Sequence, residues 1–119
     1  MQLFIPPLNT KLQLLEDWNF ALYKEHRNYY VWEALTGTLY RYDDIESPPP
    51  IVTLLKDTII RIDRIYIRKG QTGYDSVTFT VVDTPNPALK LKKQGGTFEG
   101  TRRFWVKLED ANQIQADIV

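Results

Sequence analysis

The stretch TIIRIDRIYIR, residues 58–68, decides the fold class, because isoleucines recur in it among charged residues. Many β-branched residues with apolar and polar positions in alternation are typical of a strand that buries one face. The alternation changes phase midway, since Ile60 and Ile62 are at even positions whereas Ile65 and Ile67 are at odd ones. A β-bulge near Asp63 and Arg64 would return both sets of isoleucines to the core side. The sequence therefore predicts a long, bent strand here.

A partner strand is predicted next along the chain. Residues 69–75 form a loop that contains two glycines, and Val77, Phe79 and Val81 then alternate with threonines. The segment DTPNP at 83–87 has the composition of a strand breaker. Two such strands joined by a short glycine-containing loop favour an antiparallel pair.

The window 11–23 has a similar alternation, and most of its even positions are apolar. This pattern favours a strand. A helix is the competing interpretation, because Leu12, Leu15, Trp18 and Leu22 share one helical face and Thr10 could form a capping box with Gln13. We prefer the strand, since the window is rich in aromatic residues and has no glycine or asparagine where a helix would end.

Further strands are predicted on either side of these. Residues 24–28 form a polar turn, residues 29–35 a returning strand, and residues 39–42 another strand after a turn at 36–38. Near the end, residues 88–92 and 97–108 read as a hairpin around Gly95 and Gly96. In the tail, apolar residues recur at helical spacing from Leu108 to Ile118, which predicts a short C-terminal helix.

These elements predict an all-β, mainly antiparallel fold. We expect a small SH3-like or OB-like barrel or sandwich of about six to seven strands. A chain of 119 residues is long enough for one hydrophobic core, so residues 1–119 are expected to form a single domain. Its acidic, proline-rich segment at 43–50, which contains three consecutive prolines, is predicted to be a stiff surface loop.

Composition excludes several kinds of chemistry. The sequence has no cysteine, so it offers no disulfide, thiol nucleophile or thiolate metal site, and its one histidine, His26, lies in a charged turn. The paired carboxylates are adjacent in sequence and would point to opposite faces of a strand. We therefore expect no enzymatic activity, no cofactor and no metal. The first ten residues lack a basic leader, and a soluble cytoplasmic protein is expected.

The zero net charge hides an uneven distribution. Residues 1–55 have four basic and seven acidic residues, residues 56–107 have eleven and five, and residues 108–119 have only three acidic ones. In the predicted last hairpin, one face gathers four cations around an indole: Lys90, Lys92, Arg103, Trp105 and Lys107. Such a face can bind the phosphates and stack the bases of a nucleic acid. The competing interpretation is an ordinary solvated face of half-buried strands.

A second candidate surface is aromatic and acidic. It comprises Tyr29, Tyr30, Trp32, Tyr40, Tyr42, Asp43 and Asp44. Tyrosine and tryptophan anchor protein interfaces, and the neighbouring carboxylates would suit a basic partner. The alternative is that these rings fill the core and cap its ends. A protein-binding role for this region is our leading hypothesis.

Two stretches, residues 10–28 and residues 61–79, resemble small uncharacterised proteins of bacteriophages and related mobile elements. The resemblance implies a setting, the cytoplasm of an infected bacterium, and no activity, cofactor or site residue. It suggests an accessory protein that binds a host protein and modulates or inhibits it. A nucleic-acid-binding barrel and a structural component of the virion are the alternatives.

Overall fold

A computed structural model describes residues 7–23, 25–37, 49–67, 75–89 and 102–119, with the side chain of His26 excepted. Its strands and α-helices, in chain order, are β1 (Lys11–Leu14), β2 (Trp18–Ala21), α1 (Tyr29–Thr36), β3 (Ile51–Leu54), β4 (Ile59–Tyr66), β5 (Ser76–Asp83), β6 (Arg103–Lys107), α2 (Leu108–Ala111) and β7 (Ala116–Ile118). Two 3₁₀ helices span His26–Asn28 and Pro87–Leu89. Every strand pair is antiparallel, so the predicted fold class is confirmed.

The strands form two sheets that face each other. The first has the order β6-β5-β4-β1-β7, and the second pairs β2 with β3. Large apolar side chains from both sheets fill the space between them, and the rings of Phe20 and Phe104 stack with centroids 5.5 Å apart. The outermost strands of the first sheet, β6 and β7, do not pair with each other. Among the described residues the arrangement is therefore a sandwich, and the closed SH3-like or OB-like barrel is not formed.

The window 11–23 is extended, as its alternation predicts, and it contains two strands where we expected one. The chain bends at residues 15–17, so β1 joins the first sheet and β2 the second. The even positions Leu12, Leu14, Trp18, Phe20 and Leu22 are all buried on both sides of the bend. A single period-two pattern thus supplies core residues to both layers.

The predicted bulge in β4 is confirmed. The register between β4 and β5 shifts between Ile62 and Arg64, which leaves Asp63 as the extra residue. Ile60 and Ile62 are buried before the bulge, and Ile65 packs against the core after it. Ile67, however, lies beyond the strand and is exposed.

The returning strand predicted at residues 29–35 is wrong, because these residues form helix α1. Val31 is buried whereas Tyr29, which would share its face in a strand, is exposed. Gly37 ends the helix in the left-handed conformation, with φ of 72°, and donates its N–H to the carbonyl of Glu33 at 3.0 Å. The strand predicted at 39–42 and most of the proline-rich loop at 43–50 lie outside the described residues.

Two predictions near the C-terminus also need correction. Ala88 and Leu89 lie in a 3₁₀ helix, and β6 pairs with β5, so the described part of residues 88–92 is not a hairpin strand. The tail is helical only over α2, and residues 116–118 form strand β7 beside β1. The expected C-terminal helix is therefore short and is followed by a strand that the spacing did not predict.

Candidate functional site

The predicted aromatic surface is only partly described, and its described members do not share a face. Tyr29, with 44% of its surface exposed, is the one that faces solvent, whereas Tyr30 packs against the core and Trp32 is buried in it. The helix separates these side chains because consecutive residues are about 100° apart around its axis. Tyr40, Tyr42, Asp43 and Asp44 lie outside the described residues, so their role stays a prediction.

Three of the five residues of the predicted basic face are described. Lys90 and Lys92 lie outside the described residues, whereas Arg103, Trp105 and Lys107 alternate on β6 with core residues. These three therefore point to the side of the first sheet that faces away from β2 and β3, which we call the outer face. Their predicted common face is present, although β5 and not the segment at 88–92 is their strand partner.

The nucleic-acid hypothesis requires Trp105 to be an exposed stacking platform, but only 5% of its surface is accessible. The ring of Tyr23 stacks on the indole with centroids 5.4 Å apart and an interplanar angle of 16°. The indole N–H donates to the carboxylate of Glu25, and the ammonium of Lys107 lies 5.0 Å from the centre of the Tyr23 ring. The segment after β2 therefore covers Trp105, and a base cannot stack on it in this conformation.

The outer face has cations in register across several strands. Lys11 of β1 is opposite Arg61 of β4, and Arg61 and Arg103 flank Thr80 of β5. Asp63, placed on this face by the bulge, neutralises part of the charge. Asp63 Oδ1 accepts a hydrogen bond from Arg61 Nε at 2.9 Å. Asp63 Oδ2 accepts a hydrogen bond from the hydroxyl of Thr80. The same Oδ2 forms an ion pair with Arg103 Nε at 3.3 Å, without the geometry of a hydrogen bond.

Beside this network, Arg64 is exposed and directs Nη1 towards the hydroxyl of Tyr66 at 3.3 Å. This hydrogen bond raises the pKa of Arg64 above its ordinary value. Arg64 lies opposite Thr78, and Tyr66 lies opposite Ser76. The outer face therefore has cations around a half-exposed tyrosine, which is a chemistry suited to polyanions.

The two edges of the first sheet differ in what covers them. On β6, the peptide group of Trp105 points away from β5, and the side chain of Asn28 binds both of its polar atoms. Asn28 Oδ1 accepts the N–H of Trp105 at 2.8 Å, and Asn28 Nδ2 donates to the carbonyl of Trp105 at 3.3 Å and to that of Tyr23 at 2.9 Å. Asn28 is fully buried. It thus occupies the place of a neighbouring strand at the centre of this edge.

The opposite edge, β7, has backbone groups that no described residue binds. The amide of Val119 donates to the carbonyl of Lys11 at 3.0 Å, and the amide of Leu15 donates to the carbonyl of Gln115 at 2.8 Å. Residues 115, 117 and 119 therefore direct their peptide groups towards β1. Because peptide groups alternate in direction along a strand, those of Ala116 and Ile118 point away from β1. Within the described ranges, no group accepts or donates a hydrogen bond to these outward peptide groups.

The side chains along this edge are apolar and acidic. Ile118 and Val119 are 61% and 58% exposed, and Asp117 is exposed on the outer face. We call these three side chains and the outward peptide groups of Ala116 and Ile118 the β7 edge. Edge strands with free peptide groups and exposed apolar residues are templates for pairing with another chain. The apolar–charged–apolar alternation at residues 116–118 was the sequence signal for this strand, and the helical spacing of the tail obscured it.

The second sheet also ends in an exposed strand. The amide of Leu22 donates to the carbonyl of Pro50 at 3.0 Å, so the peptide groups of Ile51 and Thr53 point away from β2. This edge belongs to a pair of strands only, and helix α1 packs beside it. The β7 edge instead continues a sheet of five strands, so an added strand there would extend an existing hydrogen-bonded ladder.

Among the described residues, no group of three or more His, Cys, Asp or Glu side chains is placed to hold a metal ion. The described helices also include none that is both long and apolar enough to cross a bilayer. Comparison with protein-family models, with curated proteins and with solved structures finds no match to this chain.

Proposed function

We propose that this chain is a non-catalytic binding protein that recognises a protein partner by adding a strand of that partner to the β7 edge. The observation that supports the proposal is the difference between the two edges of one sheet. Asn28 covers the centre of the β6 edge with two hydrogen bonds to Trp105, whereas no described residue binds the outward peptide groups of Ala116 and Ile118, which lie beside two exposed apolar side chains.

Strand addition would satisfy the outward groups of the β7 edge in a regular way. An extended segment can form two hydrogen bonds with each of Ala116 and Ile118, and main-chain bonds of this kind provide affinity in β-augmentation. Each such bond contributes about 0.5–1.5 kcal/mol net. Covering Ile118 and Val119 adds the burial of apolar surface, at about 25 cal/mol per Å².

The proposal includes a biological setting. The resemblance to small phage proteins suggests that the partner is a host protein in the bacterial cytoplasm, and that the chain modulates or inhibits it by occupying one of its extended segments. This setting and this role are predictions from the resemblance.

The experiment begins with capture of partners from bacterial lysate on the immobilised chain, followed by purification of the partner and measurement of its affinity. Ile118→Pro removes an outward N–H without removing a bond to β1, so it should weaken binding by at least about tenfold. Ile118→Ala, the matched control, keeps the N–H and should weaken binding less. Tyr29→Ala tests the aromatic surface instead. Equal affinities of the wild-type and Ile118→Pro chains would exclude the β7 edge as the binding site.

A second candidate function is polyanion binding on the outer face, favoured by the register of Lys11, Arg61 and Arg103 and by the exposed Arg64. Its test is a mobility-shift assay with single- and double-stranded nucleic acid at several salt concentrations. Binding through phosphates would weaken steeply as salt increases, and Arg64→Glu would weaken it further. Arg27→Glu, which changes the same charge near helix α1, is the control. No retention of either probe at low salt would exclude this function.

A further inference from the structure

Asp117 lies at the centre of the β7 edge. Its peptide group points towards β1, where it pairs with Gln13, and its side chain lies on the outer face of the sheet. The carboxylate is exposed and forms no ion pair or hydrogen bond within the part of the chain that the structure describes. Its neighbours Ala116 and Ile118 have the outward peptide groups.

This geometry fixes the surroundings of a strand that docks antiparallel on the β7 edge. Because the peptide groups of Ala116 and Ile118 point outward and that of Asp117 points towards β1, the docked residue opposite Asp117 belongs to a non-hydrogen-bonded pair. Side chains in such pairs are closest together, with Cα atoms about 4.5 Å apart. The docked residue therefore places its side chain beside the Asp117 carboxylate. Its two neighbours lie on the opposite side of the sheet, next to Ile118.

A second copy of this chain fits this geometry poorly. Two copies can pair antiparallel with Ala116 of each copy opposite Ile118 of the other. In this register the two Asp117 carboxylates are directly opposite each other. Like charges in this position destabilise a strand pair. A register centred on Ala116 would need the amide of Ile114, which already donates to the carbonyl of Ala111 at 3.3 Å. Asp117 therefore disfavours self-association.

We infer that the β7 edge selects an extended segment with the pattern apolar–basic–apolar, whose lysine or arginine lies opposite Asp117. The basic side chain would neutralise the one carboxylate of the edge, and the two apolar side chains would cover Ile118. This inference rests on the proposed function and names the chemistry of the partner segment.

The Asp117→Lys variant of the same chain supplies a probe with this pattern, because its β7 reads Ala-Lys-Ile. Among the described residues, the Asp117 side chain forms no hydrogen bond or ion pair that its replacement would break. Isotope-labelled wild-type chain is titrated with unlabelled Asp117→Lys chain and, separately, with unlabelled wild-type chain, and NMR shifts of the Ala116 and Ile118 amides are followed. We expect the mixed pair to associate about fivefold more tightly than the wild-type pair.

Controls separate the contributions. An unlabelled chain with both Asp117→Lys and Ile118→Pro should bind the wild-type chain no more tightly than the wild-type chain binds itself, because residue 118 then has no outward N–H. Asp117→Asn should associate with itself more tightly than the wild-type chain does. If the wild-type pair associates as tightly as the mixed pair, or if the Ala116 and Ile118 amides do not shift in any mixture, the inference is overturned. The proposed function is judged separately, by the effect of Ile118→Pro on a captured partner.

Discussion

The side-chain amide of Asn28 pairs with the peptide group of Trp105 as a neighbouring strand would: Oδ1 accepts the N–H at 2.8 Å and Nδ2 donates to the carbonyl at 3.3 Å. A single side chain therefore satisfies both polar atoms at the centre of the β6 edge. It also links the segment after β2 to the last long strand, since Nδ2 binds the carbonyl of Tyr23 as well.

Replacing Asn28 by alanine should be strongly destabilising. Asn28 is fully buried, and the substitution leaves the N–H and the carbonyl of Trp105 without their partner. A buried group left unsatisfied costs about 1–3 kcal/mol, so we expect a loss of about 2–4 kcal/mol in the free energy of unfolding, measured by urea denaturation. Asn19→Ala, which removes an exposed hydrogen bond to Thr53, is the control and should cost less than about 1 kcal/mol. Equal losses would contradict the role given to Asn28.

Two threonines of β5 should respond in opposite directions to the same substitution. Thr78 and Thr80 are both buried on the outer face, but the hydroxyl of Thr78 has no hydrogen-bond partner among the described residues. Thr78→Val should therefore stabilise the protein by about 1 kcal/mol. Thr80→Val removes the hydrogen bond to Asp63 and should destabilise it by about 1.5–3 kcal/mol. Thermal unfolding of the two variants side by side measures the difference, and a shift of the same sign in both would refute the assignment.

Removing the carboxylate of Asp63 should lower the free energy of unfolding more at low salt than at high salt. The Asp63 side chain is 10% exposed and lies between the guanidinium groups of Arg61 and Arg103. Asp63→Ala leaves these cations facing each other, and we expect a loss of about 1–3 kcal/mol at low ionic strength. Because salt screens like charges, the loss should become smaller at about 1 M NaCl, where the Debye length is about 3 Å. Asp117→Ala is the control and should change stability little; a salt-independent loss at Asp63 would argue against charge repulsion.

Gly37 should tolerate asparagine better than alanine. Its φ of 72° is in the left-handed region, and a Cβ atom would meet nothing within 4 Å, so backbone conformation alone determines the cost. Gly37→Ala should cost about 1–2 kcal/mol of stability, and Gly37→Asn less, because asparagine visits this region more readily. Chemical denaturation of both variants measures this order. The reverse order would mean that α1 does not end at Gly37 as described.

Local pattern was sufficient for much of the sandwich. The period-two burial of residues 12–22 and the phase change around Asp63 both follow from alternation, which depends only on which face of a strand is covered. Helix α1 did not follow, because Tyr29, Tyr30 and Val31 have high strand propensity and tertiary packing of Val31 and Trp32 overrides it.

The candidate sites were harder to predict, because coverage by distant segments determines them. Trp105 lies on the polar side of its strand, and its burial depends on Tyr23 and Glu25, which are far away in sequence. The role of Asn28 depends on the same long-range contact. Strand β7 has only three residues, so its alternation is too short to compete with the helical spacing around it.

The pairing of Leu12 with Ile118 joins the first and the last of the described strands. During synthesis β1 leaves the ribosome before the other described strands, while β7 is translated after all of them. One flank of β1 therefore lacks its neighbour until translation has passed residue 118, and the sheet is completed only after that. Closing such a distant contact is slow compared with forming a hairpin, so the nascent chain has a period in which chaperones have access to β1.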